Sequence, residues 1–238
     1  SISGGDGADY VYNRGVSVTI DTGADNDTVY SYSSYSQISL GAGNDSVYSE
    51  NPATISGGDG DDTIRFYYGS VDGGAGNDKI SLYSYDYGNT VSGGAGNDTV
   101  YFSGDYGRVY QYAEGDGSDT IYGFRANDTL QITSGTFTTL KSGNDIIVNV
   151  GSGAITLKNI CTSDYYRVNI FGANGSMTVI NPWKVMLGTN GDDELHNVVN
   201  NVTLSALDGK DYISNYGRGV SISGGDGADY VYNRGVSV

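Results

Sequence analysis

Large apolar residues recur through this chain in pairs nine residues apart. The first member of each pair is Ile2, Ile20, Ile38, Ile55, Val71, Val91, Tyr112, Met186, Leu204 or Ile222. The second is Val11, Val29, Val47, Ile64, Ile80, Val100, Ile121, Leu195, Ile213 or Val231. Small or polar residues flank most of them, the alternation of a short strand with one face inward. The distance from a second member to the next first member varies, running 9, 9, 8, 7, 11 and 12 from Val11 to Tyr112. A period near eighteen with two inward strands predicts a solenoid of two-stranded coils. One edge of the solenoid has a fixed length, and the other absorbs every insertion, as surface loops do.

The fixed edge carries a turn motif, G-G-x-G-x-D-x-U-x with U large and apolar. Gly93–Tyr101 is its clearest copy. Close copies are Gly4–Tyr12, Gly57–Arg65, Gly73–Ser81 and Gly224–Tyr232, and looser ones begin at Thr22, Leu40, Glu114, Gly188 and Ala206. Glycines permit the positive φ angles of a tight turn and leave backbone carbonyls exposed. The aspartate adds a carboxylate to those oxygens. Carbonyls and carboxylates at a flexible turn suit Ca²⁺, a hard cation that takes six to eight oxygen ligands. The competing reading is a solenoid whose aspartates only bond turn amides. The carbonyl donors would come from the turns of Gly5, Gly7, Gly41, Gly43, Gly58, Gly60, Gly74, Gly76, Gly94, Gly96, Gly115, Gly117, Gly191, Gly209, Gly225 and Gly227.

The motif resembles the RTX (repeats-in-toxin) nonapeptide family of bacterial proteins exported by type I secretion, over most of residues 1–122 and 188–238. The resemblance implies an all-β fold, a parallel β-roll with calcium ions between stacked turns. It carries the ligand aspartate onto Asp9, Asp27, Asp45, Asp62, Asp78, Asp98, Asp119, Asp193, Asp211 and Asp229. Three turns depart from the pattern. Asp25 stands for a glycine in Thr22–Tyr30, Leu207 for one in Ala206–Ser214, and Glu114 opens its turn. Aspartate tolerates left-handed angles, so the Asp25 turn is expected to survive. The sites beside Leu207 are expected to be the weakest. The motif aspartates recur at 18, 18, 17, 16, 20 and 21 residues from Asp9 to Asp119 and at 18 and 18 from Asp193 to Asp229, whereas a full array has a motif every nine. One edge is therefore expected to bear calcium and the other to be plain.

Residues 123–187 interrupt the pattern. Gly123–Ile132 reads as a half-motif leaving the roll. Asp145–Val150 and Ala154–Ile160 flank Gly151-Ser152-Gly153, and Val168–Phe171 and Met177–Ile180 flank Asn174-Gly175, two hairpin signals. Three segments are expected: a roll at 1–122, a β-rich capping spacer at 123–187 and the start of a second roll at 188–238. The spacer would cover the open end of the stack, where an exposed strand edge invites aggregation. A small carbohydrate-binding module is the alternative.

Composition narrows the function classes. There are 38 Gly, 22 Tyr and 2 Pro, with a net charge of −16. Such a chain lacks the basic surface that nucleic acids require. No apolar run is long enough to span a membrane, and no signal-peptide pattern opens the sequence. Cys161 is the single cysteine and His196 the single histidine, and neither H-E-x-x-H nor G-x-S-x-G occurs. No enzyme chemistry is expected. Tyrosines at the outward ninth motif position, Tyr12, Tyr30 and Tyr48, should stack as a ladder, with Tyr67, Tyr68, Tyr83, Tyr85, Tyr87 and Tyr106 on the plain edge. They read either as β-propensity alone or as a surface for lateral association or for sugar rings.

Ser1–Val18 and Ser221–Val238 are identical over all 18 residues, at an offset of 220. The expectation is a near-identical 220-residue tandem unit; the alternative is an artificial duplication. Together these features lead to a secreted, extracellular or surface-attached calcium-binding structural protein, part of an adhesive or biofilm-matrix filament. Its expected partners are further copies of itself and matrix or cell-surface polysaccharide. A calcium-dependent secretion and folding module of an extracellular polysaccharide-modifying enzyme is the second reading.

Overall fold

The computed structural model describes residues 1–84, 88–104, 107–160, 168–180, 185–197, 200 and 202–235. No described residue lies in an α-helix, and Ile160 alone lies in a 3₁₀ turn. The chain divides into two compact units, Ser1–Ile180 and Asn181–Val238.

In the first unit two sheets grow side by side. The first begins with β1 (Ile2–Asp6), β3 (Thr19–Ala24), β5 (Ser36–Ala42), β7 (Ala53–Asp59), β9 (Gly69–Ala75), β11 (Asn89–Ala95) and β13 (Arg108–Tyr112). The second takes β2 (Tyr10–Asn13), β4 (Thr28–Ser31), β6 (Ser46–Ser49), β8 (Thr63–Phe66), β10 (Lys79–Leu82), β12 (Thr99–Phe102) and β14 (Ser118–Tyr122). All these neighbours pair in parallel. Parallel pairing of alternate strands is what a solenoid of two-stranded coils produces, and the apolar pairs form its core. Ile20, Ile38, Ile55, Val71 and Val91 align in one inward column, and Val29, Val47, Ile64, Ile80, Val100 and Ile121 in the other, all buried.

One inward residue is misplaced by the nine-residue rule. Val91 pairs with Tyr110, not Tyr112, and Tyr110 in turn with Leu130. Tyr110 and Ile121 are eleven apart, so the Asp-bearing edge carries a two-residue insertion in this coil. The even spacing of Tyr112 to Ile121 concealed it, because the preceding loop is shorter by the same two residues.

The stretch from residue 123 to 180 continues both sheets. β15 (Thr129–Ile132) and β19 (Val168–Phe171) extend the first in parallel, and β18 (Gly153–Leu157) extends the second. Only then do antiparallel strands close the ends. β17 (Asp145–Val150) lies on β18 and β16 (Phe137–Ser142) on β17, while β20 (Met177–Ile180) lies on β19. Both expected hairpins form. The expected boundary at residue 122 does not coincide with the division between compact units, because β14 and β18, like β13 and β15, share hydrogen-bonded ladders. Buried Arg108 anchors this region. Its guanidinium grips Asp128 through two 2.8 Å bonds and covers the Phe102 ring at 4.6 Å.

The second unit repeats the design in two three-stranded parallel sheets. One holds β21 (Val185–Leu187), β23 (Thr203–Ser205) and β25 (Ser221–Ser223); the other holds β22 (Glu194–Asn197), β24 (Tyr212–Asn215) and β26 (Tyr230–Asn233). Val202, Leu204, Ala206 and Ile213 form its core. Cys161, Trp183, Tyr85, Tyr87 and Tyr106 lie outside the described residues.

Candidate metal centre

Each coil brings one motif aspartate to the same edge, where it stacks on the aspartates of its neighbours. The turn depends on backbone freedom at its second and fourth positions. Gly41 and Gly43, for example, have φ of 107° and 138°, and a β-carbon on Gly41 would collide with the Gly23 carbonyl of the coil beneath. Two substituted turns keep this geometry against the steric preference of their residues: Asp25 has φ 76° and Leu207 φ 74°. Leu207 therefore preserves the turn that its side chain disfavours. Gly191 departs the other way, with no positive φ despite its expected role.

The aspartate carboxylates divide their two oxygens between two tasks. Oδ1 of each accepts a backbone N–H from the aspartate one coil earlier: Asp9 to Asp27 at 2.7 Å, Asp27 to Asp45 at 2.7 Å, Asp45 to Asp62 at 2.8 Å, Asp62 to Asp78 at 2.8 Å and Asp78 to Asp98 at 2.7 Å. The second unit does the same from Asp193 to Asp211 and on to Asp229. This is the amide-bonding role, and it occupies only half of each group. Oδ2 of Asp9, Asp27, Asp45, Asp62, Asp78, Asp98 and Asp211 is buried without a hydrogen-bond partner. A buried carboxylate oxygen is stable only when paired or bound to a cation. The first motif glycine leaves room for it: a β-carbon on Gly57, Gly73 or Gly93 would fall against Oδ2 of Asp62, Asp78 or Asp98.

Electrostatics point the same way. Burial, reinforced by neighbouring carboxylates, pushes Asp62 up to about 7 and Asp78 up to about 6, although the accepted amide bond opposes the shift. Asp45 and the adjoining Asp98 and Asp119 are raised as well, burial being the main cause in each. A column of single buried carboxylates held above the usual range needs counter-charge. Among the described residues no three His, Cys, Asp or Glu side chains converge. The donor set is thus a line of lone carboxylates with turn carbonyls, the oxygen chemistry of Ca²⁺ rather than a soft-metal cluster. When bound, the ion supplies the positive charge that lets all these carboxylates ionise together.

Three of the ten expected ligands stand apart, Asp229 because it is only half-buried. Asp119 joins the column through Oδ1, which accepts the Asp98 N–H at 3.0 Å, but its Oδ2 accepts the Tyr110 hydroxyl at 2.6 Å. Asp193 turns Oδ2 back onto its own turn, accepting Thr189 N–H at 2.5 Å and its hydroxyl at 3.0 Å.

A second ladder was not anticipated. At the fifth motif position Oδ1 of Asn26, Asn44, Asp61, Asn77 and Asn97 accepts an N–H from the coil that follows, at 2.7, 2.8, 2.6, 3.0 and 2.9 Å. The fifth and sixth positions therefore lace neighbouring coils in opposite directions. The recurrence of Asn or Asp immediately before the motif aspartate was the available signal.

On the outer face the tyrosines do associate, with a different partnering from the one expected. Tyr10, Tyr30, Tyr48, Tyr67 and Tyr83 form one succession with ring centroids 5.6–6.3 Å apart, and Tyr12 packs on Tyr32 rather than Tyr30. His196 lies 6.0 Å from the Tyr212 ring, half out in solvent.

Comparison with known proteins agrees with this edge. Residues 1–15, 54–66, 70–84, 83–101, 115–131 and 220–235 match the family described as RTX calcium-binding nonapeptide repeat. No curated protein matches. Among solved structures, the extracellular lipase LipA from Serratia marcescens aligns with 64% of this chain at 16% identity and a TM-score of 0.41. The alignment spans 39% of the lipase chain. Glycine-aspartate turns at regular spacing, a parallel roll built on them and buried, unpartnered carboxylate oxygens at those turns agree with the match: this chain carries RTX calcium-binding nonapeptide repeats, with Ca²⁺ as the expected ion.

Proposed function

We propose that this chain is part of a secreted, calcium-stabilised structural protein in which 220-residue units follow one another along an adhesive or matrix filament. The observation that carries the proposal is the behaviour of the duplicated 18-residue coil in its two settings. In the first unit it is paired with the coil that follows: β2 lies on β4, Asp9 N–H donates to Asp27, and Asn13 Nδ2 donates to Ser33 Oγ at 3.0 Å. In the second unit the same sequence is paired with the coil that precedes. There β26 lies on β24, Asp229 Oδ1 accepts from Asp211 at 3.1 Å, and Asn233 Oδ1 accepts from Asn215 Nδ2 at 2.8 Å.

The two sets of bonds use complementary atoms. The asparagine spends its oxygen on the preceding coil and its amide nitrogen on the following one; the aspartate spends Oδ1 backward and N–H forward. One coil can therefore satisfy both neighbours, as an interior repeat of a solenoid must. Its internal geometry is common to both copies too, since Gly15 and Gly235 each donate to the same asparagine oxygen at 2.9 Å. On this reading the second unit opens a roll whose later coils have the sequence from residue 19 onward.

The calcium requirement fits an extracellular setting, where millimolar calcium fills sites of ~0.1 mM affinity. Exposed tyrosines on the second sheet support lateral contacts with further copies or with polysaccharide.

The test is a rearranged chain running from residue 181 to 238 and continuing with 19–180. It should fold in calcium as one cooperative unit, with β-type circular dichroism rising together at about 0.1–1 mM calcium. Two independent transitions would defeat the proposal.

A further inference from the structure

We infer that the calcium column is terminated within the chain by Tyr110 and Tyr112, whose hydroxyls occupy the oxygens that the Asp119 turn would otherwise offer to an ion. The inference rests on the calcium binding of the other turns. Tyr110 donates to Asp119 Oδ2 at 2.6 Å, and Tyr112 donates to the Gly117 carbonyl at 2.6 Å. In the preceding coil Val91 stands opposite Tyr110, and Gly93 follows Val91 by two residues as Tyr112 follows Tyr110. There the carboxylate oxygen beside the glycine, Asp98 Oδ2, has no partner.

Three further features close this turn. The two inserted residues form a small loop in which Ala113 N–H donates to Asp116 Oδ2 at 2.6 Å, so the glycine turn seen in other coils is rebuilt. The Gly117 carbonyl also accepts Ala154 N–H at 2.9 Å, from the strand that begins the cap. The backbone of Gly153 packs so closely that a β-carbon there would strike both Gly117 O and the Tyr112 hydroxyl. A neutral O–H donor serves each oxygen where a cation would have done so, without adding charge beside the cap.

Physically, a terminator is needed because an ion held between stacked turns would be shared by two coils. The last carboxylate has a motif turn on one side only. Supplying it with a hydroxyl satisfies the oxygen and lets the antiparallel cap dock directly on the roll.

The experiment counts calcium bound per full chain by equilibrium dialysis for the wild type, Asp78→Asn and Asp119→Asn, with thermal unfolding of Tyr110→Phe alongside. Asp119→Asn is expected to keep the wild-type count and midpoint, while Asp78→Asn loses at least one ion. Tyr110→Phe should lower the unfolding temperature in chelator by roughly 3–8 °C, and by no more than that in calcium. Loss of ions in Asp119→Asn, or a Tyr110→Phe defect seen only with calcium, would overturn the inference while leaving the family's calcium binding intact. A wild-type chain that takes up no calcium would overturn both.

Discussion

Replacing Asp78 separates the two tasks of a motif carboxylate. Its Oδ1 accepts the Asp62 N–H at 2.8 Å, and its Oδ2 has no partner at 2% residue exposure. Asp78→Asn keeps the amide acceptor and removes the charge, whereas Asp78→Ala removes both. In chelator at pH 7 the wild type bears the cost of ionising a carboxyl moved from 3.8 to about 6. Two pK units at about 1.4 kcal/mol each make this on the order of 3 kcal/mol. Asp78→Asn should therefore be more stable than wild type in chelator, by up to about 3 kcal/mol. Asp78→Ala should gain less, because an unpaired buried N–H costs about 1–3 kcal/mol. Calcium offsets that advantage. A site of ~0.1 mM affinity at 1 mM calcium contributes about 1.4 kcal/mol. Asp78 faces a coil on each side, so either variant forgoes up to about 3 kcal/mol of that gain. Urea unfolding followed by circular dichroism, in calcium and in chelator, reads both numbers. An Asn variant less stable than wild type in chelator, with its calcium gain undiminished, would refute the division of labour between the two oxygens.

Three other outcomes follow from the same geometry. Metal-free protein should be most stable near pH 4 and weaken as pH rises through 6 and 7, because Asp62 and Asp78 titrate at about 7 and 6 when folded and at 3.8 when unfolded; a higher melting temperature in chelator at pH 8 than at pH 5 contradicts this. Arg108→Ala should cost about 3–5 kcal/mol by stranding the buried Asp128 carboxylate, equally with and without calcium; a loss confined to calcium-loaded protein in denaturant titrations would reject the assignment. Leu207→Gly should stabilise the second unit by about 1 kcal/mol, since Leu207 is held at φ 74°; an unchanged or lower melting temperature counts against strain at that turn.

Much of this architecture is legible in the linear sequence because a solenoid is local. Each coil contacts only the next, so an inward residue such as Ile38 reappears one period later as Ile55 and the period can be counted directly. The same locality exposes the aspartate column and its edge. Side-chain volume and bond direction decide the rest. Spacing alone made Tyr112 the inward partner of Ile121, whereas the ladder selects Tyr110, because a two-residue change on one edge was offset by two residues on the other. Glu114 and Ser118 mark the Asp119 turn as irregular beside that of Asp98, but they do not say what meets the carboxylate. Only the folded coil shows that a tyrosine hydroxyl reaches one and none reaches the other. The sequence by itself determined the period, the parallel pairing and the oxygen-rich edge, since these follow from repetition and residue type. The tertiary structure alone decided where the column ends, which oxygen of each carboxylate is spent on an amide, and that residues 123–180 extend the sheets before capping them, because each depends on atoms brought together from different coils.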